Sequence, residues 1–498
     1  MKKPTKSRRP FRRVAGIAVV GLLCIAAAGA VLLHHFWPFT ESSVRARLGE
    51  SASANVKFGS FHEKYFPPGC IIENVVFQRG NSGPSLISIR RLTISSNIVG
   101  LMGHHISLLH AEGMHVTLGR SDFSANKSSG QQTVIDTLVA DDAVLDVRRK
   151  AQPMRFVFHK FQLRNLGGSG AIKFAAVFDN PMPAGLIQTS GQFGPWDSSD
   201  PTGTPVSGAY TLSHADLSVF NSIGGALSSE GNFKGTIKQM EVEGSTTTPQ
   251  FKVAYTQHEL PLQTRFKAGV NAVNGETILH SVQATFGRDQ IDAHGRIGRQ
   301  SDGKRAAVIE LNCDRGRIED TFYPFIKSSK SPLIGNVAFQ MRVVIPSGQE
   351  RFLQKIEVSS GFRIQDARFT NPKTQSRLSK ISERHDQKQP DDSTLADLSG
   401  NVRLLHGIAQ FSQLSARDGN ASAWFRGNYD LTNEHVNMHG QLTTEASLGK
   451  TTSGIKAVFA KALEPLFKKG KHQKVVPVKI SGTYRNPSFG LDGAGSGT

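Results

Sequence analysis

The chain has 498 residues, a formal net charge of +19, 49 glycines and 20% charged residues. After the N-terminus it lacks the long Ala, Glu, Lys and Leu runs of helical proteins, and its glycine content favours many strands joined by tight turns. Only Cys24, Cys70 and Cys313 occur, which excludes a disulfide framework and leaves a single Cys70–Cys313 bridge open.

A basic leader and an apolar segment come first. Residues 1–13 carry seven Lys or Arg, and the next twenty residues, 14–33, carry no charge. A helix needs about twenty apolar residues to cross a bilayer, and basic flanks stay in the cytoplasm. Small residues at 26–30 would suit a cleaved signal peptide, but apolar sequence continues through Leu33. We therefore predict a cytoplasmic leader at 1–13, an uncleaved single-pass helix over 14–36 and an exported body.

Period-two alternation dominates the exported part. In residues 262–268 the apolar side chains are even-numbered and the polar ones odd-numbered; residues 172–178 and 423–431 alternate in the same way. This pattern is typical of strands with one apolar face and one solvent-exposed face. Pairs such as Asn274-Gly275, Asp302-Gly303, His406-Gly407 and Asp418-Gly419 suit hairpin turns, so we predict a mostly antiparallel sheet. A Gly-x-aromatic unit recurs, for example at Gly191 and Gly208.

Few helices are predicted in this part. One is expected over 215–223 and a short one over 318–322, ended by Pro324. Residues 371–396 are polar and predict a flexible insertion, and the glycine-rich tail 492–498 predicts disorder. An amphipathic helix is predicted over 455–467, and its apolar stripe suits either a membrane interface or the open end of a sheet, although Pro465 counts against a continuous helix. The stripe comprises Ile455, Val458, Phe459, Leu463, Leu466 and Phe467.

The sequence offers no motif for catalysis. It lacks a phosphate-binding loop, a zinc-protease signature and a Cys-x-x-Cys pair. His110 and His115 have opposite parity on a predicted strand, which would place them on opposite faces without a matching acidic ligand. We predict no catalytic residue, no metal, no cofactor and no enzyme activity. Scattered basic residues on an exported domain also argue against nucleic acid as a partner.

Three groups of stretches resemble AsmA-like proteins. Residues 91–101, 104–106 and 112–116 resemble the N-terminal part of that family, residues 208–251 its central repeat, and residues 398–400, 427–431 and 476–487 its C-terminal region. The resemblance implies an inner-membrane protein of Gram-negative bacteria that projects into the periplasm and is similar to repeating β-groove, bridge-like lipid-transfer proteins. It implies phospholipid, the inner membrane, and the outer membrane or envelope proteins as partners, in lipid transport and outer-membrane biogenesis.

The expected fold is mainly β: a long, twisted, mostly antiparallel sheet curled into a hydrophobic groove after the N-terminal helix. The groove domain is predicted over 44–370 and the C-terminal region over 397–491. The apolar face would hold acyl chains, although a closed protein core would use the same alternation. The alternative function is a periplasmic scaffold that binds outer-membrane protein segments along sheet edges. The predicted groove lining comprises Phe174, Phe178, Phe251, Phe266, Phe425 and Tyr429.

Overall fold

A computed structural model describes residues 40–52, 54–64, 67–78, 85–97, 105–118, 134–147, 154–167, 170–195, 200–220, 222–254, 256–301, 303–325, 331, 333–348, 350–370, 394–418, 421–444, 475–483 and 486–492. The leader 1–13, the predicted membrane helix 14–36, residues 371–393 of the insertion, the predicted helix 455–467 and residues 493–498 of the tail lie outside these ranges. Within the described ranges, no helix combines the length and apolar character needed to cross a membrane.

The fold is mainly β, as predicted. One open sheet contains 25 strands, and strands that follow each other in sequence pair mostly antiparallel. The strands are β1 (Asn55–Lys57), β2 (Ser60–Lys64), β3 (Gly69–Gln78), β4 (Ser85–Ser95), β5 (His105–Leu118), β6 (Val134–Val147), β7 (Met154–Leu166), β8 (Ile172–Pro181), β9 (Ala184–Phe193), β10 (Pro205–Asp216), β11 (Ile223–Gly224), β12 (Ala226–Thr236), β13 (Gln239–Val253), β14 (Glu259–Asn271), β15 (Glu276–Phe286), β16 (Asp289–Arg299), β17 (Arg305–Arg317), β18 (Leu333–Pro346), β19 (Glu357–Phe369), β20 (Thr394–Leu405), β21 (Ile408–Asp418), β22 (Ala421–Asp430), β23 (His435–Thr444), β24 (Val475–Thr483) and β25 (Asn486–Leu491). The parallel pair β5–β6 is the exception to the antiparallel rule among the pairings described.

Helices are few and short in the described ranges. They are α1 (Glu41–Ala52), α2 (Ile318–Thr321) and α3 (Phe352–Lys355), with 3-10 helices at Pro201–Gly203, Leu217–Phe220 and Tyr323–Phe325. The helix predicted over 318–322 is confirmed as α2, and Pro324 lies within the 3-10 helix that follows it.

The helix predicted over 215–223 is wrong. Ala215 and Asp216 remain in β10, where they pair with Leu227 and Ala226 of β12. Only one 3-10 turn follows, and the Asp216 carboxylate caps it by accepting a hydrogen bond from the Ser218 N–H at 2.9 Å. The ladder with β12 satisfies more backbone groups than a single helical turn would, so tertiary pairing overrides the local helical pattern.

The chain divides into two compact units. The first runs up to Val219 and includes Ala226–Thr246 and Lys267–Thr277; the second comprises Phe220–Gly225, Thr247–Phe266 and the chain from Ile278 onward. In the first unit, α1 buries Val44 and Leu48 in one cluster with the inward residues of β3–β9. The inward face of these strands is therefore covered by protein, and Val44, where the groove domain was predicted to begin, lies on a helix that packs into this cluster.

A break in the strand alternation recurs at one level of the first unit. Asn74, Gly113 and Asp142 have φ values of 53°, 62° and 52°, and each is skipped between successive register pairs of its strand, while the register on either side stays the same. Each break reverses the parity of burial, so that Ala111 before it and Met114 after it are both buried. Because the breaks are aligned across neighbouring strands, one face stays apolar without an extra residue in these strands at this level.

The second unit has its own core, formed by β17–β24 with residues such as Phe339, Phe425 and Leu442. Beside it, the carboxylate of Asp289 is 3% exposed. It accepts hydrogen bonds from the Arg317 N–H at 3.1 Å and from the Thr321 hydroxyl at 2.5 Å. These bonds hold α2 at the end of β17, because a buried carboxylate is stable only when its oxygens are satisfied.

Two predicted turns are confirmed. Gly275 has φ 71°, and His406 and Gly407 have φ 51° and 80°, the positive values that tight hairpins need. For Asp302-Gly303, Gly303 has φ 80°. Gly419 lies outside the described residues. The Cys70–Cys313 bridge is not formed, because both are buried free thiols.

Candidate functional site

The candidate site is the apolar face of the strands in the middle of the sequence. On β12, every residue is either exposed or half-buried, and the two classes alternate strictly from Ala226 to Lys234. Strands β14 and β15 follow nearly the same pattern. On β6, by contrast, the inward positions are fully buried. The same period-two pattern therefore produces a sealed face in one region and a partly open face in another.

In the first unit the half-buried apolar side chains belong to neighbouring strands. They include Leu212 on β10, Leu227 and Phe233 on β12, and Met240 and Val242 on β13. None of these five is fully buried, and Glu241 and Glu243 on β13 point to the exposed face. This part of the face is wetted by solvent in the absence of a ligand.

In the second unit the corresponding residues lie on β14 and β15. Leu260, Leu262, Phe266, Leu279 and Val282 are all half-buried, whereas the residues between them are exposed, except Thr264, which is also half-buried. An apolar side chain gains free energy when it leaves water, at roughly 25 cal/mol per Å². A row of half-exposed leucines is therefore a surface that an apolar ligand would stabilise.

The predicted lining residues of the first unit are half-buried and belong to aromatic clusters. The Phe178 ring packs on Phe158 with a centroid distance of 4.9 Å, and Phe174 packs on Phe193 at 6.2 Å and on Phe233 at 6.5 Å. Both predicted residues contact the buried cluster of this unit. They stand at the border between the sealed core and the open face.

The predicted lining residues of the second unit differ in exposure. Phe251 and Phe266 are half-buried, and the Phe251 ring contacts Phe286 edge-on at 5.8 Å. Tyr429 is also half-buried, whereas Phe425 is 5% exposed and belongs to the buried cluster. Phe425 therefore packs as core in this structure.

The Gly-x-aromatic repeat has a structural cause. Phe174 pairs with Gly191, Gly191 with Gly208 and Gly208 with Phe233, so two glycines separate two aromatic residues across four strands. The Phe174 and Phe233 rings meet over these glycines. A Cβ on Gly208 would lie 2.4 Å from the Ser190 carbonyl oxygen and 2.7 Å from the Phe233 ring. The repeat thus packs aromatic rings over the glycines of neighbouring strands.

The polar face of the first unit corrects the prediction for the histidines. The positive φ of Gly113 interrupts the alternation of β5, so His110 and His115 lie on the same face although their parity differs. Each contacts a carboxylate of the parallel neighbour β6: His110 Nε2 lies 2.8 Å from Asp141 Oδ2, and His115 Nε2 lies 2.7 Å from Asp146 Oδ2. The predicted opposite orientation and the absence of a matching acidic residue are both wrong.

These pairs lie on a partly solvent-exposed surface. The Arg155 guanidinium donates to Asp146 at 2.8 and 2.9 Å, and this contact, with a smaller contribution from His115, lowers the Asp146 pKa to about 2. The described residues contain no group of three or more His, Cys, Asp or Glu placed to hold a metal ion.

The two buried thiols have raised pKa values. Burial, with a smaller contribution from Glu63, raises the Cys70 pKa to about 12, and burial raises the Cys313 pKa to about 11. Thiols react as thiolates, so both cysteines are core residues of low reactivity.

The search for similar proteins gave no match to a family model, to a curated protein or to a solved structure. The candidate site therefore rests on the geometry of this chain.

The sequence prediction missed the aliphatic part of the open face. Its candidates were aromatic, yet Val242, Leu260, Leu262 and Leu279 are half-buried like Phe266. For Leu262 the signal was present in the alternation of 262–268. Alternation gives the face of a side chain but not whether other protein covers it, so the full burial of the inward face of β3–β6 was also missed.

Proposed function

We propose that this protein is anchored in the inner membrane and carries phospholipid acyl chains on the half-open apolar face of each unit, in transport between membranes. The observation that carries the proposal is the half-exposure of the apolar side chains on β12 in the first unit and on β14 and β15 in the second, which no protein layer among the described residues fully covers. The resemblance to AsmA-like proteins and the apolar segment 14–33 support the same function.

The energetics favour a long apolar ligand. Each methylene moved from water to an apolar surface gains roughly 0.8 kcal/mol, so an acyl chain along several strands is held without specific bonds. Exposed polar residues such as Gln263 and Lys267 face away from it. In this proposal the sheet curls into a groove, the headgroup stays in water, and the protein performs no covalent chemistry.

Native mass spectrometry of the full chain, extracted gently from membranes, tests this function. We expect bound phospholipid on the unmodified protein and a severalfold loss in a Leu262→Glu/Leu279→Glu variant, because two carboxylates on the apolar face would need desolvation. Gln263→Glu is the matched control, since it adds a carboxylate to the same strand on the exposed face.

Two results would contradict the proposal. One is an unmodified protein free of phospholipid after gentle extraction, and the other is equal lipid binding by Leu262→Glu/Leu279→Glu and the control. Bound polypeptide in place of lipid would favour the scaffold function, in which an outer-membrane protein segment pairs with a sheet edge.

A further inference from the structure

An open cavity lined by both polar and apolar side chains lies in the second unit, on strands β17–β22. It has a volume of about 1120 Å³ and is lined by residues that include Gln340, Arg363, Asn401, Trp424 and Arg426. Outward residues of these strands line it together with core residues such as Phe339. The residues of the proposed lipid face on β14 and β15 do not line it.

The floor of the cavity is made of small residues. Ala338, Gly361, Ser399 and Ser415 line it, and the register places Gly361 beside Asn401 and Ser399 beside Ser415. A Cβ added to Gly361 would have one neighbour within 4 Å, Asn401 Oδ1 at 3.2 Å. The glycine therefore leaves open space above the sheet.

Amides and hydroxyls form rows along this floor. Gln340, Gly361, Asn401 and Gln413 occupy successive register positions on β18–β21, a span of about 14 Å at the usual strand spacing. The Asn401 amide donates to Gln413 Oε1 at 3.4 Å. An amide side chain has two donors and a carbonyl acceptor, so this contact leaves donors and acceptors of the pair for a ligand.

The second row ends at an aromatic ring. Arg363, Ser399, Ser415 and Trp424 occupy successive register positions on β19–β22, and the hydroxyls of the two serines lie 2.8 Å apart. Trp424 is 45% exposed, although a tryptophan side chain is usually among the more buried ones. Arg426 lies opposite the bulge at Ser412 and Gln413, next to this ring.

We propose that this cavity binds an oligosaccharide. A pyranose ring has an apolar C–H face that stacks on an indole and hydroxyl edges that bond to amides, hydroxyls and guanidinium groups, and the cavity offers all four in two parallel rows. Arg363 and Arg426 are permanently charged and outnumber the one carboxylate of the lining, Asp314, so sugars with a carboxylate bind most tightly.

Trp424 is also the reporter for the test. The chain has three tryptophans, so Trp37→Phe/Trp196→Phe leaves Trp424 as the one source of indole fluorescence. The full chain is kept in lauryldimethylamine oxide micelles, since a detergent with a sugar headgroup would compete. Neutral, N-acetylated and uronic-acid tetrasaccharides are titrated, and at least one class is expected to change the Trp424 emission saturably.

Two substitutions on the same unit provide the comparison. Gly361→Gln fills the floor of the cavity and is expected to weaken binding by about tenfold or more. Gly490→Gln on β25 is the control. A Cβ at Gly490 would meet nothing within 4 Å, and this variant leaves binding within about twofold. Trp424→Ala is expected to weaken binding by about tenfold. Calorimetry measures the affinity of this variant, because it lacks the reporter indole. Circular dichroism melting shows that each variant is folded.

The proposal is overturned if no tetrasaccharide changes the emission, or if a folded Gly361→Gln variant binds as tightly as the unmodified chain. The same sugar attached to a lipid in micelles distinguishes a free sugar from a lipid-linked sugar as the ligand. Equal affinity for the two forms means that the sugar alone is recognised. Leu262→Glu/Leu279→Glu is expected to keep sugar binding, so this proposal and the lipid proposal fail independently.

Discussion

At the scale of single residues, charged side chains on the polar face of the first unit contact groups of opposite charge. Asp146 accepts hydrogen bonds from Arg155 and lies within hydrogen-bond distance of His115, and the contact with Arg155 is the main reason that its pKa falls to about 2. A carboxylate with a lowered pKa stabilises the fold above its unfolded pKa of about 4, and that stabilisation is lost as the pH falls from about 4 to about 2.

We therefore expect Asp146→Asn to lower the free energy of unfolding by about 1 kcal/mol at pH 7, because the pair is partly exposed to solvent. The difference between the variant and the unmodified chain should shrink towards zero at pH 2, as measured by urea unfolding at pH 7, 4 and 2. Asp397→Asn, an exposed carboxylate on β20, serves as control. A difference that stays constant with pH would contradict the assigned ion pair.

At the scale of elements, the sheet depends on glycines where aromatic rings cross it. The Phe174 and Phe233 rings approach to 6.5 Å because Gly191 and Gly208 lie between them. A glycine in a strand has no side chain that could pack against its neighbours. An aromatic ring that covers the glycine restores this apolar contact. This arrangement explains why the aromatic residue follows each glycine by two positions, on the same face.

Gly208→Val should therefore be strongly destabilising. A Cβ at this position would lie 2.4 Å from the Ser190 carbonyl oxygen, so the backbone of β9 must move, at a cost of about 2 kcal/mol or more. Ala209→Val on the exposed face of the same strand should change stability by about 0.5 kcal/mol or less. Thermal melting of both variants measures the contrast, and equal melting temperatures would refute the role of the glycine.

At the scale of the whole molecule, the described strands differ in how fully their apolar face is covered. The inward residues of β3–β6 and of β18–β23 belong to buried clusters, whereas those of β12–β15 are mostly half-buried. Local opening is easier where fewer apolar contacts must be broken. The region proposed to bind lipid is therefore also the region expected to have the lowest local stability.

Hydrogen exchange followed by mass spectrometry measures this difference. Backbone amides of β3–β6 and β18–β23 should exchange most slowly, and those of β12–β15 faster, with protection of β12–β15 rising when phospholipid is added. Uniform protection in all strands, or no response of β12–β15 to lipid, would contradict the difference in coverage.

The sequence by itself determined the class of fold and the face of most side chains. Alternation placed Leu262 and Phe266 opposite Gln263 and Lys267, and His406-Gly407 predicted a turn, because both depend on local geometry that adjacent residues set. It failed where a residue with positive φ interrupts the alternation: Gly113 returned His110 and His115 to one face.

Only the tertiary structure decided which apolar positions are covered. Phe425 and Phe266 have the same local pattern, yet one is packed in a core and the other is half-exposed. Coverage depends on packing between separate elements, such as Val44 and Leu48 of α1 in one cluster with residues of β3–β9, and so does the meeting of Arg363, Asn401 and Trp424 around one cavity. Strand pairing and packing bring these groups together, because hydrogen bonding and burial are contacts between residues far apart along the chain.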